Sequence, residues 1–281
     1  MMGAGDTGVI GWPVAHSLSP VIHGYWRAKH GIAGHYELIA IAPEELAEKI
    51  KKAKASGLRG FNVTVPHKEA IIPFLDTVDD TAHHIGAVNT AVRDGATWRG
   101  TNTDAYGFIT HLKETLGELT PYIKKVVLLG AGGAARAAIV ALQGAGAKQI
   151  VITNRTKQTA DALAAEFGVK AAAWDEKEHQ LQGATLLVNT TVLGMKGRPP
   201  LEIDLKNLPA HAAVYDIVYA PLETELLKQA KASGYRPVEG LGMLLYQAQL
   251  AFKEWHGILP EADAGLRAAV LAEIKRRAAF A

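Results

Sequence analysis

Residues 126–136, Val126-Val-Leu-Leu-Gly130-Ala131-Gly132-Gly133-Ala134-Ala135-Arg136, have the makings of a dinucleotide-binding turn. Four apolar residues read as a buried parallel strand. The glycines fit G-x-G-x-x-G/A with Ala135 in the third place, and the small-residue run 137–142 reads as a helix. Gly130 permits a tight turn, and Gly132 lets the backbone approach a pyrophosphate. Ala135 lets the helix pack close to the strand, and the helix N-terminus attracts phosphate charge. The alternative is a plain strand-to-helix turn of an α/β domain. The next strand, Ile150–Thr153, leads into Asn154-Arg155-Thr156. An NAD site carries Asp or Glu here for the ribose 2′-hydroxyl. This chain has a guanidinium that can pair with a 2′-phosphate and no carboxylate to repel it, which selects NADP. Asn154 and Thr156 add neutral donors, and Thr156 is also placed to cap the helix Lys157–Phe167. A second literal match, Gly3-Ala-Gly5-Asp-Thr-Gly8, has only Met1 and Met2 before it. It is followed by Val9-Ile10-Gly11-Trp12-Pro13 where a helix should start, and it is rejected.

Other polar residues gather at turns. In Gly11-Trp-Pro13-Val-Ala-His16-Ser17-Leu-Ser19-Pro20, two hydroxyls stand two residues apart before a helix. With that helix's free amides they can hold a carboxylate, or Ser19 can simply cap the helix. Lys68, in Asn62-Val-Thr64-Val-Pro66-His-Lys68, lies just past a strand end, where a lone lysine is usually solvated. Asn89, in Gly86-Ala-Val-Asn89-Thr90, fits turn chemistry. Asp104, in Gly100-Thr-Asn102-Thr-Asp104-Ala-Tyr-Gly107, stands where a helix begins and fits an N-cap. Gly240-Leu-Gly242-Met243-Leu-Leu-Tyr246-Gln247 opens a helix on which Met243 and Gln247, four apart, share a face.

The elements that position these residues alternate between strand and helix, which predicts α/β layers with parallel sheets. Strands are expected at 9–10, 35–40, 61–65, 88–93, 96–98, 126–129, 150–153, 185–189, 214–218 and 235–238. Ser19-Pro20 reads as the N-cap and first residue of a helix that Gly31 stops. Pro43-Glu44-Glu45 opens another, with acids first and Lys51, Lys52 and Lys54 near its end, the order favoured by the helix dipole. Asp94-Gly95 signals a type I′ hairpin. Helices at 241–256 and from 261 to about 278 finish the chain.

Composition narrows the function classes. The 281 residues suffice for two domains, and 48% apolar content supplies a sizeable core. A net charge of +2 with no basic tract argues against nucleic acid and membrane surfaces as partners. The absence of cysteine excludes disulfides, thiolate catalysis and a Cys-based zinc site. The eleven histidines contain no H-E-x-x-H, and His83-His84 are adjacent, so they read as surface or packing residues and no metal is expected. Residues 1–20 lack the basic and apolar regions of a signal peptide, and glycines and Arg136 interrupt the most apolar stretch. A cytoplasmic protein is expected.

Taken together, G-x-P-x-x-H-S-x-S-P, N-V-T-x-P-x-K, G-A-V-N-T, G-x-N-T-D-x-x-G, G-A-G-G-A-A-R-A, N-R-T and G-x-G-M-L-x-x-Q occur in the order seen in shikimate dehydrogenases, and the chain resembles that family over nearly its whole length. The resemblance implies a substrate-binding domain of residues 1–104 plus 240–281 with a mainly parallel sheet. It also implies a Rossmann NADP domain of residues 105–239, with the terminal helices returning to the first domain. It implies that Ser17 and Ser19 hold the substrate carboxylate and that Thr64, Asn89 and Gln247 bind its hydroxyls. Lys68 and Asp104 would be the catalytic pair. Gly240 and Met243 would lie by the nicotinamide and Tyr219 near the substrate. Gly130, Ala131, Gly132, Gly133, Ala134, Asn154, Arg155 and Thr156 would hold the rest of the cofactor. Relatives that accept quinate tend to carry Thr in place of Ser19, and NAD users tend to carry an acid near Arg155. The implied reaction is reversible NADPH-dependent reduction of 3-dehydroshikimate to shikimate, by a monomer or homodimer. The alternatives are a quinate/shikimate dehydrogenase with relaxed NAD(P) use and a non-catalytic NADP-binding sensor. Residues 1–8 depart from the family's usual start.

Overall fold

A computed structural model describes residues 6–279, which divide into two α/β units. The first runs through Thr103 and resumes at Leu245, and the second spans Asp104–Leu244. Positions 3–5 of the rejected glycine match lie outside the described residues, and Thr7 and Gly8 belong to the first strand.

The first unit contains β1 (Thr7–Gly11), α1 (Ser19–Lys29), β2 (Tyr36–Ala40), α2 (Leu46–Ala55, after a 3-10 turn at Pro43–Glu45), β3 (Gly60–Val63), β4 (Thr77–Val78), α3 (Asp80–Ile85), β5 (Thr90–Asp94) and β6 (Thr97–Thr101). Its sheet has the order β2-β1-β3-β5-β6-β4. β1 pairs in parallel with β2 and β3, β5 runs antiparallel to β3 and β6, and β4 is parallel to β6. β1 and β3 are buried throughout, as strands covered on both faces must be. Ile10, Phe61 and Val63 pack with Ile50 of α2 and Trp98 of β6.

Two local expectations are corrected. Leu18, not Ser19, holds the N-cap position of α1, and Ser19 is the first helical residue. No side chain caps the helix at Leu18, and the Ser17 hydroxyl, one residue earlier, accepts the first helical amide, that of Ser19, at 3.2 Å. The β5–β6 hairpin is not type I′. Asp94 pairs with Thr97, which leaves Gly95 and Ala96 as the loop. Gly95 has φ +59°, and no non-glycine residue among those described has positive φ. Positive φ at the first loop residue alone is the type II′ pattern.

The second unit contains α4 (Asp104–Leu116), β7 (Lys125–Leu129), α5 (Gly133–Gly144), β8 (Gln149–Thr153), α6 (Lys157–Phe167), β9 (Lys170–Ala172), α7 (Lys177–Gln180), β10 (Leu186–Asn189), β11 (Ala213–Asp216), α8 (Glu225–Ala232) and β12 (Arg236–Val238). All its strands are parallel, in the order β12-β11-β10-β7-β8-β9. This is the doubly wound Rossmann order, and the winding reverses between β7 and β10, where such sheets open a ligand crevice at their strand C-termini. Val126–Leu129 are fully buried, in keeping with the apolar run read from sequence.

α9 (Leu241–His256) and α10 (Ala264–Ala279) close the chain. From Leu245 onward they complete the first unit. Trp255 donates its indole N–H to the Ala91 carbonyl at 3.0 Å, and Trp26 donates its own to the Glu261 carbonyl at 2.8 Å.

Candidate functional site

In the first unit the strand register brings the predicted polar turns to one sheet edge. Thr64 follows the C-terminal end of β3, and its amide bonds the Ile10 carbonyl of β1 at 2.9 Å. Asn62 pairs with Thr90, and Thr90 with Thr101, so Asn89 and the segment Asn102–Thr103 lie at that same edge. The Ser17–Ser19 loop follows β1.

A chain of hydrogen bonds links these positions. The Ser17 hydroxyl donates to Ser19 at 3.1 Å, and Ser19 bonds the Tyr36 phenol. Tyr36 donates to Asn62 Oδ1 at 2.6 Å. Asn62 Nδ2 donates to the Asn89 carbonyl (3.2 Å) and to Thr90 Oγ1 (3.0 Å). Asn89 Nδ2 donates to Thr103 Oγ1 (2.9 Å), and the Thr103 amide returns a bond to Asn89 Oδ1 (2.8 Å). Burial drives the Tyr36 phenol far above its ordinary pKa, so it stays a neutral donor. Asn62, Tyr36 and Thr103 were not singled out from the sequence. Asn62 stands inside the N-V-T motif, and only the register shows that it reaches both Tyr36 and Asn89.

Lys68 is half-buried. Its carbonyl accepts the Val88 amide at 2.8 Å, which ties it to the Asn89 turn. Its neighbour His67 is buried, with Nε2 2.7 Å from the Ile41 carbonyl. Asp104 is 5% exposed and directly follows Thr103 as the first residue of α4. Ser17, Ser19, Thr64, Lys68, Asn89 and Gln247 belong to the first unit. Asp104, Tyr219, Gly240, Met243 and the residues 130–134 and 154–156 belong to the second.

In the second unit Gly130 has φ +107°, and a Cβ there would sit 2.7 Å from Thr190 Oγ1 on the neighbouring loop. Its amide bonds the Thr153 carbonyl at 2.8 Å. The turn therefore lies at the reversal between β7 and β10. Gly132 is the N-cap of α5 in extended conformation, with no side-chain cap and nothing within 4 Å of where a Cβ would stand. Open amides beside open space fit a pyrophosphate. Arg155 is exposed beyond β8. Asn154 Nδ2 donates to the Thr156 carbonyl at 3.0 Å, which shapes the turn. Thr156 occupies the N-cap of α6 but makes no side-chain cap bond. Arg136, the other nearby cation, is held by Glu166 at 2.7 Å. Gly240 rests on the Ile217 and Val218 carbonyls, Met243 is 8% exposed and Tyr219 is half-buried. A buried cluster of Asn189, Asp216 and Thr224 beneath these loops was not read from the sequence.

Among the described residues no group of three or more His, Asp or Glu side chains could hold a metal ion, and no helix is long and apolar enough to cross a membrane.

Known proteins share this arrangement. Residues 9–91 match the shikimate dehydrogenase substrate binding domain, 113–193 the shikimate/quinate 5-dehydrogenase family and 240–270 the shikimate 5′-dehydrogenase C-terminal domain. The NADP(+) shikimate dehydrogenase of Rhodospirillum rubrum is 48% identical over 271 residues, covering 94% of this chain and 96% of that protein. That of Methylobacterium radiotolerans is 50% identical over 272 residues, covering 95% and 96%. The crystal structure of shikimate 5-dehydrogenase from Thermus thermophilus in complex with NADP(H) and shikimate superposes with a TM-score of 0.86 at 39% identity, over 95% of this chain and 98% of that one. With three successive family matches and such relatives spanning nearly its whole length, this chain belongs to the shikimate dehydrogenase family.

Proposed function

We propose that this protein catalyses the reversible reduction of 3-dehydroshikimate to shikimate with NADPH, with Lys68 and Asp104 as the acid–base pair. The carrying observation is the hydrogen-bonded row from Ser17 to Thr103 along one edge of the first sheet. It offers hydroxyls for a carboxylate at one end and amides and hydroxyls for a polyol at the other. Ser17 and Ser19 take the carboxylate, Thr64, Asn89 and Gln247 the substrate's hydroxyls, and Tyr219 lies near the substrate. Lys68, tied to Val88 just before Asn89, stabilises the oxygen that becomes an alkoxide and gives it a proton. Asp104 keeps the ammonium charged. Residues 130–134, Asn154, Arg155 and Thr156 hold the phosphates and ribose, and Gly240 and Met243 hold the nicotinamide. NADPH, when bound, supplies the hydride. The first unit serves as the substrate-binding domain and the second as the NADP domain, with the boundaries expected at 104/105 and 239/240 falling instead at 103/104 and 244/245. The enzyme works in the cytoplasm as a monomer or homodimer.

The test is absorbance of reduced nicotinamide with shikimate or quinate, each paired with NADP⁺ or NAD⁺. Rapid reduction with shikimate and NADP⁺ alone is expected. No turnover with any pair despite NADP⁺ binding would replace this reading with that of a sensor. Cofactor choice has its own variant. Arg155→Ala weakens NADPH by about 1.5–3 kcal/mol, ten- to a hundredfold, and leaves NADH nearly untouched. Equal losses in a binding titration would make Arg155 a loop support only.

A further inference from the structure

We infer that the buried Asn189–Asp216–Thr224 cluster is a positioning device for the nicotinamide half of the cofactor site, an inference that rests on the proposed function. Asn189 ends β10 and Asp216 ends β11, and both are 0% exposed, with Thr224 at 1%. Asp216 Oδ1 accepts Asn189 Nδ2 at 2.9 Å and the Val218 amide at 3.1 Å. Its Oδ2 accepts Thr224 Oγ1 at 2.6 Å. Burial raises the carboxyl pKa, and these donors pull it the other way.

Burying such a group costs stability that an apolar side chain would not. What it provides is the placement of backbone atoms. The bond from Val218 folds residues 216–218 into a tight turn. A Cβ at Gly240 would stand 2.3 Å from the Ile217 oxygen and 2.7 Å from that of Val218, so these carbonyls form the seat of Gly240. Gly240 leads into the first turn of α9, which carries Met243, and Tyr219 is the next residue along the loop. On the other side, Asn189 Oδ1 accepts the Thr191 amide (3.0 Å) and hydroxyl (2.7 Å), and the Asn189 carbonyl accepts the Ile217 amide at 3.1 Å. One carboxylate thus sets the loop after β11, and through Asn189 the loop after β10. The Arg155 turn follows β8, on the far side of β7 from both of these strands.

The experiment compares NADPH with 2′,5′-ADP, which carries the adenosine phosphates and lacks nicotinamide. Binding is titrated calorimetrically for the wild type and for Asp216→Asn, Thr224→Val and Thr224→Ser, alongside steady-state kinetics. Asp216→Asn keeps the shape and exchanges an acceptor for a donor opposite Thr224. It should weaken NADPH about tenfold, lower kcat, and leave 2′,5′-ADP and the shikimate KM within about twofold. Thr224→Val should move in the same direction and Thr224→Ser should restore wild-type behaviour. Equal weakening of both nucleotides, or a lower Tm with both affinities kept, would overturn the inference and leave the cluster as a structural brace. A wild type that binds NADPH without oxidising shikimate would sink the proposed reaction. The ratio of the two nucleotide affinities would still decide the positioning role.

Discussion

Replacing Lys68 by alanine lowers kcat by about 10²- to 10⁴-fold while the KM for shikimate changes little. In the proposed mechanism the ammonium's contribution grows as the carbonyl oxygen gains charge, so it is largest in the transition state and small in the ground state. In that mechanism the substrate is held by other residues, the Ser17–Ser19 pair and the Asn89 region. Lys68 itself is half-buried on a segment pinned by the Val88 amide, so truncating its side chain leaves that backbone bond intact. Steady-state kinetics in the shikimate-oxidising direction checks this. Turnover within about fivefold of wild type would remove Lys68 from the chemistry. A large rise in KM at constant kcat would make it a binding residue.

A second large effect concerns stability in acid. His23 is 1% exposed, and neither ring nitrogen has a hydrogen-bond partner. It stacks on Tyr36 at 4.4 Å, with the Trp26 ring at 5.9 Å and the Trp255 ring at 5.2 Å. Burial first, then the charges of His256 and Arg27, lowers its pKa from 6.5 to about 3. The unfolded chain takes up a proton near pH 6.5 and the folded chain does not until about pH 3. The stability associated with neutral His23 is therefore complete above pH 6.5 and drains away as pH falls through that window. The loss is about 2 kcal/mol by pH 5 and on the order of 4 kcal/mol near pH 3. His23→Phe keeps an aromatic ring in the stack and cannot be protonated. Denaturant unfolding followed by tryptophan fluorescence at about pH 7.5 and pH 5 should show the variant losing about 2 kcal/mol less than wild type between the two. Taking the difference across pH cancels any packing change that phenylalanine introduces. Identical acid sensitivity in both proteins would place the titrating group elsewhere.

The cofactor domain was the more legible half of the molecule because each of its signals is local. The run from Val126 to Arg136 predicts strand, turn and helix within one window, and β7 and α5 fall there. Helices 157–167 and 241–256 have the expected bounds. β9 was missed because Lys170-Ala-Ala carries no β-branched residue, and the two-residue β4 is too short to show periodicity. The hairpin at Gly95 was found, but its turn type depends on register, which places Asp94 on a strand. In the candidate site, Ser17, Asn89 and Lys68 were visible as residue types at turns. What joins them was not visible, because Asn62 and Tyr36 meet only through the pairing of β1 with β2 and β3. Asp216 was hidden for a similar reason. It falls inside the expected strand 214–218, whereas the strand ends at Asp216 itself, and only complete burial distinguishes it.

The return of the chain at Leu245 has a consequence during biosynthesis. The second unit is one uninterrupted stretch and can collapse as soon as it leaves the ribosome. The first is made in two instalments separated by residues 104–244. At a translation rate of about 5–20 residues per second, that gap lasts on the order of ten seconds. Until Ala251 and Trp255 arrive, Val92 lacks its cover and Trp26 lacks its acceptor at Glu261. The nascent first unit must therefore stay soluble with part of its apolar surface bare, and the residues that relieve it are translated only after the whole of the second unit.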